Sequence, residues 1–238
     1  MTTKTANALN KSHAQNCSNT CINNQCNYRC DTKNSERIIE AKGPIIQKDL
    51  PLHGDIHHVE LIGVNASFVR KKTPKITASG KQNILDELKV RYRKNTIYIH
   101  LTSGSYRHAK VQLDIELPNI QSVKLKGSNQ LHINGVSQKS AIFELFGSNT
   151  FIAKNNHIEE LSLFTDGTNN INWQTSSRIE SLTINSNGMN TIKITPKSLN
   201  LLQGQLNGIN QLVLCNHDKN ISRDLIVKGL SSVSNQDC

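Results

Sequence analysis

Four cysteines near the start of the chain, Cys17, Cys21, Cys26 and Cys30, follow the spacing Cys-x3-Cys-x4-Cys-x3-Cys. Thiolates two to four residues apart can hold structural zinc. The same four can close two nested disulfides, Cys17–Cys30 and Cys21–Cys26, or stay as free thiols. The gap between the two pairs is short for a zinc ribbon, and such a density without a metal is rare in reducing compartments. Cys215 and Cys238 bring the total to six, an even number compatible with three disulfides. A Cys215–Cys238 bridge would stabilise by about 3 kcal/mol through chain entropy. It would also pin residues 216–238 as a lid over the end of the domain, where an open sheet edge needs covering.

Other groups with chemical potential are weaker. His53, His57 and His58 contain an i, i+4 pair, but on a loop or strand start that spacing does not make the rings converge, so they read as surface histidines. Glu159 and Glu180 each stand eight residues before a repeated glycine. Carboxylates stacked about 5 Å apart have the separation of retaining glycosidases. The plainer expectation is a solvated column in which Lys139 pairs with Glu159. No Ser/His/Asp order, P-loop or dinucleotide fingerprint is present, and no cofactor is expected. Arg70, Lys71, Lys72 and Lys75 lie near Lys89, Arg91 and Arg93 in sequence. Together they read either as a solvated face or as a basic patch that attracts acidic glycans, an anionic envelope surface or a protein. Nucleic acid is disfavoured, because only Tyr92, Tyr98 and Tyr106 stand nearby to stack on bases.

The elements that position these groups follow from composition and pattern. The 238 residues carry a net charge of +10, with 36% hydrophobic and 4% aromatic residues. Asparagine occurs 29 times, which argues against Leu-rich helical bundles because Asn disfavours helix interiors. No apolar run approaches the roughly 20 residues that a transmembrane helix needs. Recurring apolar clusters from Ile45 to Leu230 exclude full disorder. Met1–Asn16 has no apolar stretch typical of a signal peptide. The cysteine count nevertheless points to an exported protein of the bacterial periplasm, outer surface or surroundings; a cytosolic or effector location is the alternative.

Residues 1–42 read as a Cys-rich tail or cap. Residues 43–120 alternate at period 2 in short runs: His58–Ile62, Ser67–Val69, Lys75–Thr77, Leu88–Arg93, Thr96–Leu101 and Val111–Leu117, the pattern of half-buried strands. One helical turn is expected around Ile84–Leu88. After Pro118 the chain repeats. Gly127-x-Asn129, Gly147-x-Asn149, Gly167-x-Asn169, Gly188-x-Asn190 and Gly208-x-Asn210 recur at spacings of 20, 20, 21 and 20 residues. Leu131, Phe151, Ile171, Ile192 and Leu212 follow each glycine by four. Four before stand Val123, Phe143, Leu163 and Ile184, and then Gly204 interrupts the column.

A fixed period of this length signals stacked repeats. Twenty residues leave no room for a helix beside the strands, so each unit reads as one coil of a parallel β-solenoid, five coils rising roughly 24 Å at the strand spacing. Glycine allows positive φ at the corner. The asparagines, stacked in register, can form an amide ladder; the rival reading is a glycan or ion site along that column. The expected fold is all-β: a single-stranded, right-handed parallel β-helix over 121–215, preceded by the β region 43–120 and followed by the lid 216–238.

The run Val59–Leu214 resembles the bacterial "putative auto-transporter adhesin, head GIN domain" family. The resemblance rests on the Leu88–Ile99 hairpin, on Ile115-Glu116-Leu117-Pro118-Asn119-Ile120, and on Val123-Lys124-Leu125-Lys126-Gly127-Ser128-Asn129 with its repeats. The chain departs from the family pattern in reading Gly-Ser-Asn where a second glycine is usual. The resemblance implies a β-solenoid on an exported or lipid-anchored bacterial protein. The reading is therefore a non-enzymatic envelope or surface module for adhesion, scaffolding or binding of extended acidic partners. The alternatives are a polysaccharide-acting solenoid enzyme and an intracellular effector or nucleic-acid binder.

Overall fold

A computed structural model describes residues 17–22 and 25–30 as backbone, and residues 38–174, 178–215 and 221–236. The chain falls into two compact units, Met1–Ile38 and Ile39–Cys238. In the first, β1 (Cys17–Ile22) and β2 (Gln25–Cys30) form an antiparallel pair. Its register sets Cys17 opposite Cys30 and Cys21 opposite Cys26.

The second unit is a parallel β-solenoid. In chain order it contains β3 (Ile38–Glu40), β4 (Ile45–Leu50), β5 (His58–Ile62), β6 (Asn65–Arg70), β7 (Lys75–Lys81), the helical turn α1 (Gln82–Leu85), β8 (Leu88–Arg93), β9 (Thr96–Leu101), β10 (Ser105–Arg107) and β11 (Val111–Leu117). The repeats follow as β12 (Ser122–Asn134), β13 (Ser137–Lys154), β14 (His157–Gln174), β15 (Arg178–Thr195) and β16 (Ser198–Cys215). β17 (Ser222–Val227) and β18 (Ser232–Gln236) close the sequence of elements. Each full coil is one long strand bent at its glycine into a first leg and a second leg. Equivalent residues stack without slippage: Leu131 on Phe151 on Ile171 on Ile192 on Leu212. All five are buried, forming one internal file. Phe143, Phe151 and Trp173 meet at centroid distances of 4.8 to 5.6 Å and fill the middle of the core.

The glycine corners are required twice over. Gly147, Gly167 and Gly188 have φ of 103°, 114° and 94°, where a Cβ is strained. A Cβ on any of them would also lie 2.3 Å from the carbonyl oxygen of the glycine one coil earlier. Two residues on, the asparagines turn inward. Asn129 Nδ2 donates to Asn149 Oδ1 at 2.7 Å, Asn149 to Asn169 at 2.8 Å, Asn169 to Asn190 at 2.8 Å and Asn190 to Asn210 at 2.8 Å. The Val64 N–H donates to Asn129 Oδ1, and Asn210 Nδ2 donates to Ser231 Oγ. The amides are thus satisfied by one another inside the wall, which a column on the surface meant for a glycan or ion would not be.

Two more coils flank the five, and both are degenerate. Gly63-Val64-Asn65 has the letters of the repeat, but its corner is one residue shorter: Ile62 pairs with Lys126 while Ala66 pairs with Leu131. Val64 therefore takes the buried place, and Asn65 accepts the Gln130 N–H instead. Gly229-Leu230-Ser231 is the last corner, with Gly229 at φ 74° and Ser231 in the asparagine's place. The region 43–120 is the base of the same stack. β5 and β6 pair in parallel with β12, β9 pairs with β5, and β11 pairs with β6. β8, β7 and β4 join antiparallel and end the sheet there.

The tail differs from the expected lid. Residues 222–236 contribute β17 and β18, which pair in parallel with the two legs of β16 as one more coil. Their alternating backbone finds free edge hydrogen bonds there, so extending the ladder satisfies them. Cys215 is buried and disulfide-bonded; Cys238 lies outside the described residues.

Three substitutions separate the demands of the corner. Gly167→Ala meets both strain and a backbone clash and is expected to cost about 3 kcal/mol or more. Gly127→Ala, whose Cβ would have only a 3.8 Å neighbour, should cost about 1–2 kcal/mol. Asn149→Ala strands buried partners on both sides and should cost about 2–4 kcal/mol. Urea denaturation of the three variants checks the order.

Candidate binding face

Period-2 alternation gives each leg an outer face of fixed composition. On the first leg, outward positions run in register across β9, β5, β12, β13 and β14: Thr96, His58, Ser122, Ile142 and Ser162 form one column. Tyr98, Glu60, Lys124, Glu144 and Phe164 form the next. Two hollows open along this face. The larger, about 800 Å³, is lined by His58, Gln121, Ser122, Ile142, Glu144 and Phe164, with Lys139 at its rim. The smaller, about 470 Å³, is lined by His58, Arg93, Lys94, Asn95, Thr96 and Tyr98. Both are lined in part by His58, and their linings together make a run of outer surface, the first-leg groove, along the stacking axis from β8 to β14. Five strand spacings of roughly 4.8 Å give it a length of about 24 Å.

The groove is shaped by a non-sequential step of the chain. β9 and β11 lie below β5 and β6, so the chain must climb past that coil from Leu117 to Ser122. Gln121 and Ser122 donate their N–H groups to the His57 carbonyl at 2.7 and 3.2 Å. The Gln138 side chain holds the Ile120 backbone at both its N–H and its carbonyl. His58 Nδ1 and Ser122 Oγ are 2.7 Å apart, which fixes the imidazole in the floor. The histidines differ in partner: His53 packs edge-on to Tyr92 at 5.0 Å, whereas His58 meets Ser122. Among the described residues no three metal-binding side chains gather.

Charge on this face is sorted. Lys126 pairs with Glu60 at 2.7 Å and Lys124 with Glu144 at 3.2 Å, its ammonium 4.9 Å above the Phe146 ring. At the β8 end, Lys89, Arg91 and Arg93 are exposed, and among the described residues no carboxylate pairs with their side chains. Their inward neighbours Leu88, Val90 and Tyr92 pack on the core, and burial raises the Tyr92 phenol above its ordinary pKa. The Tyr92 hydroxyl donates to the Pro51 carbonyl.

The other cations do not join this group. Arg70, Lys71, Lys72 and Lys75 lie at the end of the second leg, beyond the Pro118–Gln121 connection. Arg70 donates to the Pro118 carbonyl, Lys71 lies 3.9 Å from Glu116, and Lys75 lies 3.2 Å from Asp49. The Thr77 hydroxyl and the Lys75 ammonium hold the Asp49 carboxyl below its ordinary range. The seven basic residues therefore form two groups on separate legs, because β6 and β8 belong to opposite sides of the coil. The expected Lys139–Glu159 pair is replaced by Lys139–Glu160 at 3.6 Å. Glu159 faces His157 at 4.0 Å, and Glu180 accepts from Asn200.

Sequence reasoning missed Phe164, Ile142 and Phe146 as surface residues. The available signal was doubled apolar parity: Ile142-Phe143, Leu145-Phe146 and Leu163-Phe164 put an apolar side chain on each face.

A family model described as putative auto-transporter adhesin, head GIN domain, matches residues 62–207. A crystal structure of a putative adhesin from Bacteroides fragilis is 16% identical with a TM-score of 0.64, covering 83% of this chain and all of that one. One described as a putative lipid binding protein from Parabacteroides distasonis is 12% identical with a TM-score of 0.52, covering 84% of this chain and all of that one. These likenesses show the fold. No curated protein matches the sequence.

Because the groove residues stand outside the core, their removal should leave the fold intact. Glu144→Gln and Phe164→Ser are expected to shift the thermal midpoint by no more than about 2–4 °C, read by circular dichroism.

Proposed function

Given that the chain belongs to the putative auto-transporter adhesin, head GIN domain family, we propose that it is a non-enzymatic adhesion-type module of a bacterial envelope or surface. In this reading it holds an extended acidic glycan along the first-leg groove. The observation that carries the reading is the course of the groove along the stacking axis. A rigid stack presents the same register at every coil, so a polymer can lie along it without the protein reorganising. Arg91 and Arg93 at the β8 end supply the unpaired positive charge that draws in an anionic chain. Phe164 and Ile142 give apolar surface to sugar ring faces, and Gln121, Ser122 and Glu144 give hydrogen-bonding groups. The β1–β2 register supports nested Cys17–Cys30 and Cys21–Cys26 disulfides, which suit an oxidising compartment outside the cytoplasm.

Binding to dextran sulfate, with uncharged dextran as the control, tests the groove. Arg91→Glu with Arg93→Glu should weaken binding at least about tenfold, whereas Lys71→Glu with Lys72→Glu changes the same net charge but should weaken it far less. Equal losses in both variants would show that net charge alone acts, and would overturn the site. Mass spectrometry after alkylation without reductant is expected to find no modified cysteine; four modified residues at the N-terminus would refute the nested bridges.

A further inference from the structure

The smaller hollow on the first-leg face has a composition of its own. Arg93, Thr96 and His58 stand in one row across β8, β9 and β5, and Tyr98 follows two residues on along β9. The two-residue turn Lys94–Asn95 closes the β8–β9 hairpin beside that row. Its Asn95 carbonyl accepts the N–H groups of His57 at 3.0 Å and His58 at 3.1 Å, which ties the turn to the start of β5. Lys94 has a φ of 52° there, a turn position that glycine or asparagine serves with less strain. The fold thus gathers a guanidinium, an ammonium, an imidazole and two hydroxyls around about 470 Å³.

The protein does not neutralise this group itself. Among the described residues no carboxylate lines the hollow. In the adjacent column Glu60 and Glu144 are held by Lys126 and Lys124. Arg93 and Lys94 are exposed. The Ser122 hydroxyl meets His58 Nδ1 at 2.7 Å, and the other ring nitrogen has no protein partner among the described residues. The number and direction of the donors decide what they suit. A carboxylate is planar, carries a single charge and is satisfied by one forked arginine. Here donors arrive from three strands and a turn. A phosphate monoester offers three oxygens in a tetrahedral arrangement and about −1.5 to −2 charges at pH 7, so it can take the Arg93 fork, the Lys94 charge and a hydroxyl together. A sulfate ester has the shape with less charge. His58 also lines the larger hollow, where Gln121, Ser122 and Gln138 supply amides and a hydroxyl. Those groups suit a sugar as bearer of the anion better than an acyl chain.

We propose that the β8–β9 hollow binds the phosphate monoester of a sugar, held by Arg93, Lys94 and His58. The sugar rests on the glycan reading above; the site narrows its acidic group to a phosphoryl group.

The test titrates glucose 6-phosphate, glucose 6-sulfate, glucuronate and inorganic phosphate into the isotope-labelled full chain at constant ionic strength, read by amide chemical shifts. Glucose 6-phosphate is expected to bind at least about fivefold tighter than the sulfate or glucuronate and to shift the amides of His58 and Lys94–Thr96. Lys94→Gln should weaken it at least about fivefold. Lys72→Gln, on the other leg, makes the same change in net charge and should weaken it by less than about twofold. Equal affinity for glucuronate or glucose 6-sulfate, shifts confined to other residues, or equal losses in the two variants would overturn the site. Inorganic phosphate binding as tightly as glucose 6-phosphate would overturn the sugar as bearer. So would pelleting with phosphatidic acid vesicles that glucose 6-phosphate does not reverse. Dextran sulfate separates this proposal from the extended groove. If dextran sulfate is held but glucose 6-phosphate shows no preference, the phosphate site alone fails. If dextran sulfate is not held but glucose 6-phosphate still shifts Lys94–Thr96, the site stands and the groove reading fails.

Discussion

The close approach of one glycine corner to the next is the constraint on which the rest depends. Coils separated by a strand spacing bring the carbonyl of one glycine to where the Cβ of the next would stand. Only a residue without that atom allows the wall to close. Once it closes, the asparagine two residues on is carried inside, beyond the reach of water. A buried amide without partners is costly, so each must bond its neighbours, and the ladder from Val64 to Ser231 results. Register is thereby fixed at every coil. A slip of one residue would both clash at the glycines and strand the amides.

Fixed register is what turns a pattern into a surface. Because no coil slips, side chains that leave the wall at one position line up from β9 to β14, and a groove can run along the axis. The ion pairs Lys126–Glu60 and Lys124–Glu144 join residues far apart in sequence only because that alignment holds. Half-buried pairs of this kind, still in contact with solvent, contribute modestly to stability. Their effect is to neutralise the middle of the face and leave net positive charge at the β8 end.

The same ladder must stop somewhere, and the two ends solve this differently. Antiparallel strands and a helical turn close the base with buried apolar side chains. At the other end the repeat weakens by degrees: Gly204 enters the apolar column, and serine replaces asparagine at the last corner. The weakened coil still extends the sheet, but nothing described lies over it.

What the sequence determined by itself was the coil. Period, corner glycines, inward file and the β-solenoid class were legible because each coil repeats the same local requirement, and five repetitions raise it above chance. Gly63-Val64-Asn65 shows the limit of that reading, since the same letters on a corner one residue shorter send the asparagine outward. What only the tertiary structure decided was everything that depends on which coils touch. The climb from β11 past β5 and β6, the separation of Arg70–Lys75 from Lys89–Arg93, and the groove at His58 arise from the non-sequential order of the first coils in the stack. No local pattern records such a step, because its hydrogen bonds join residues more than sixty positions apart, as between His57 and Gln121.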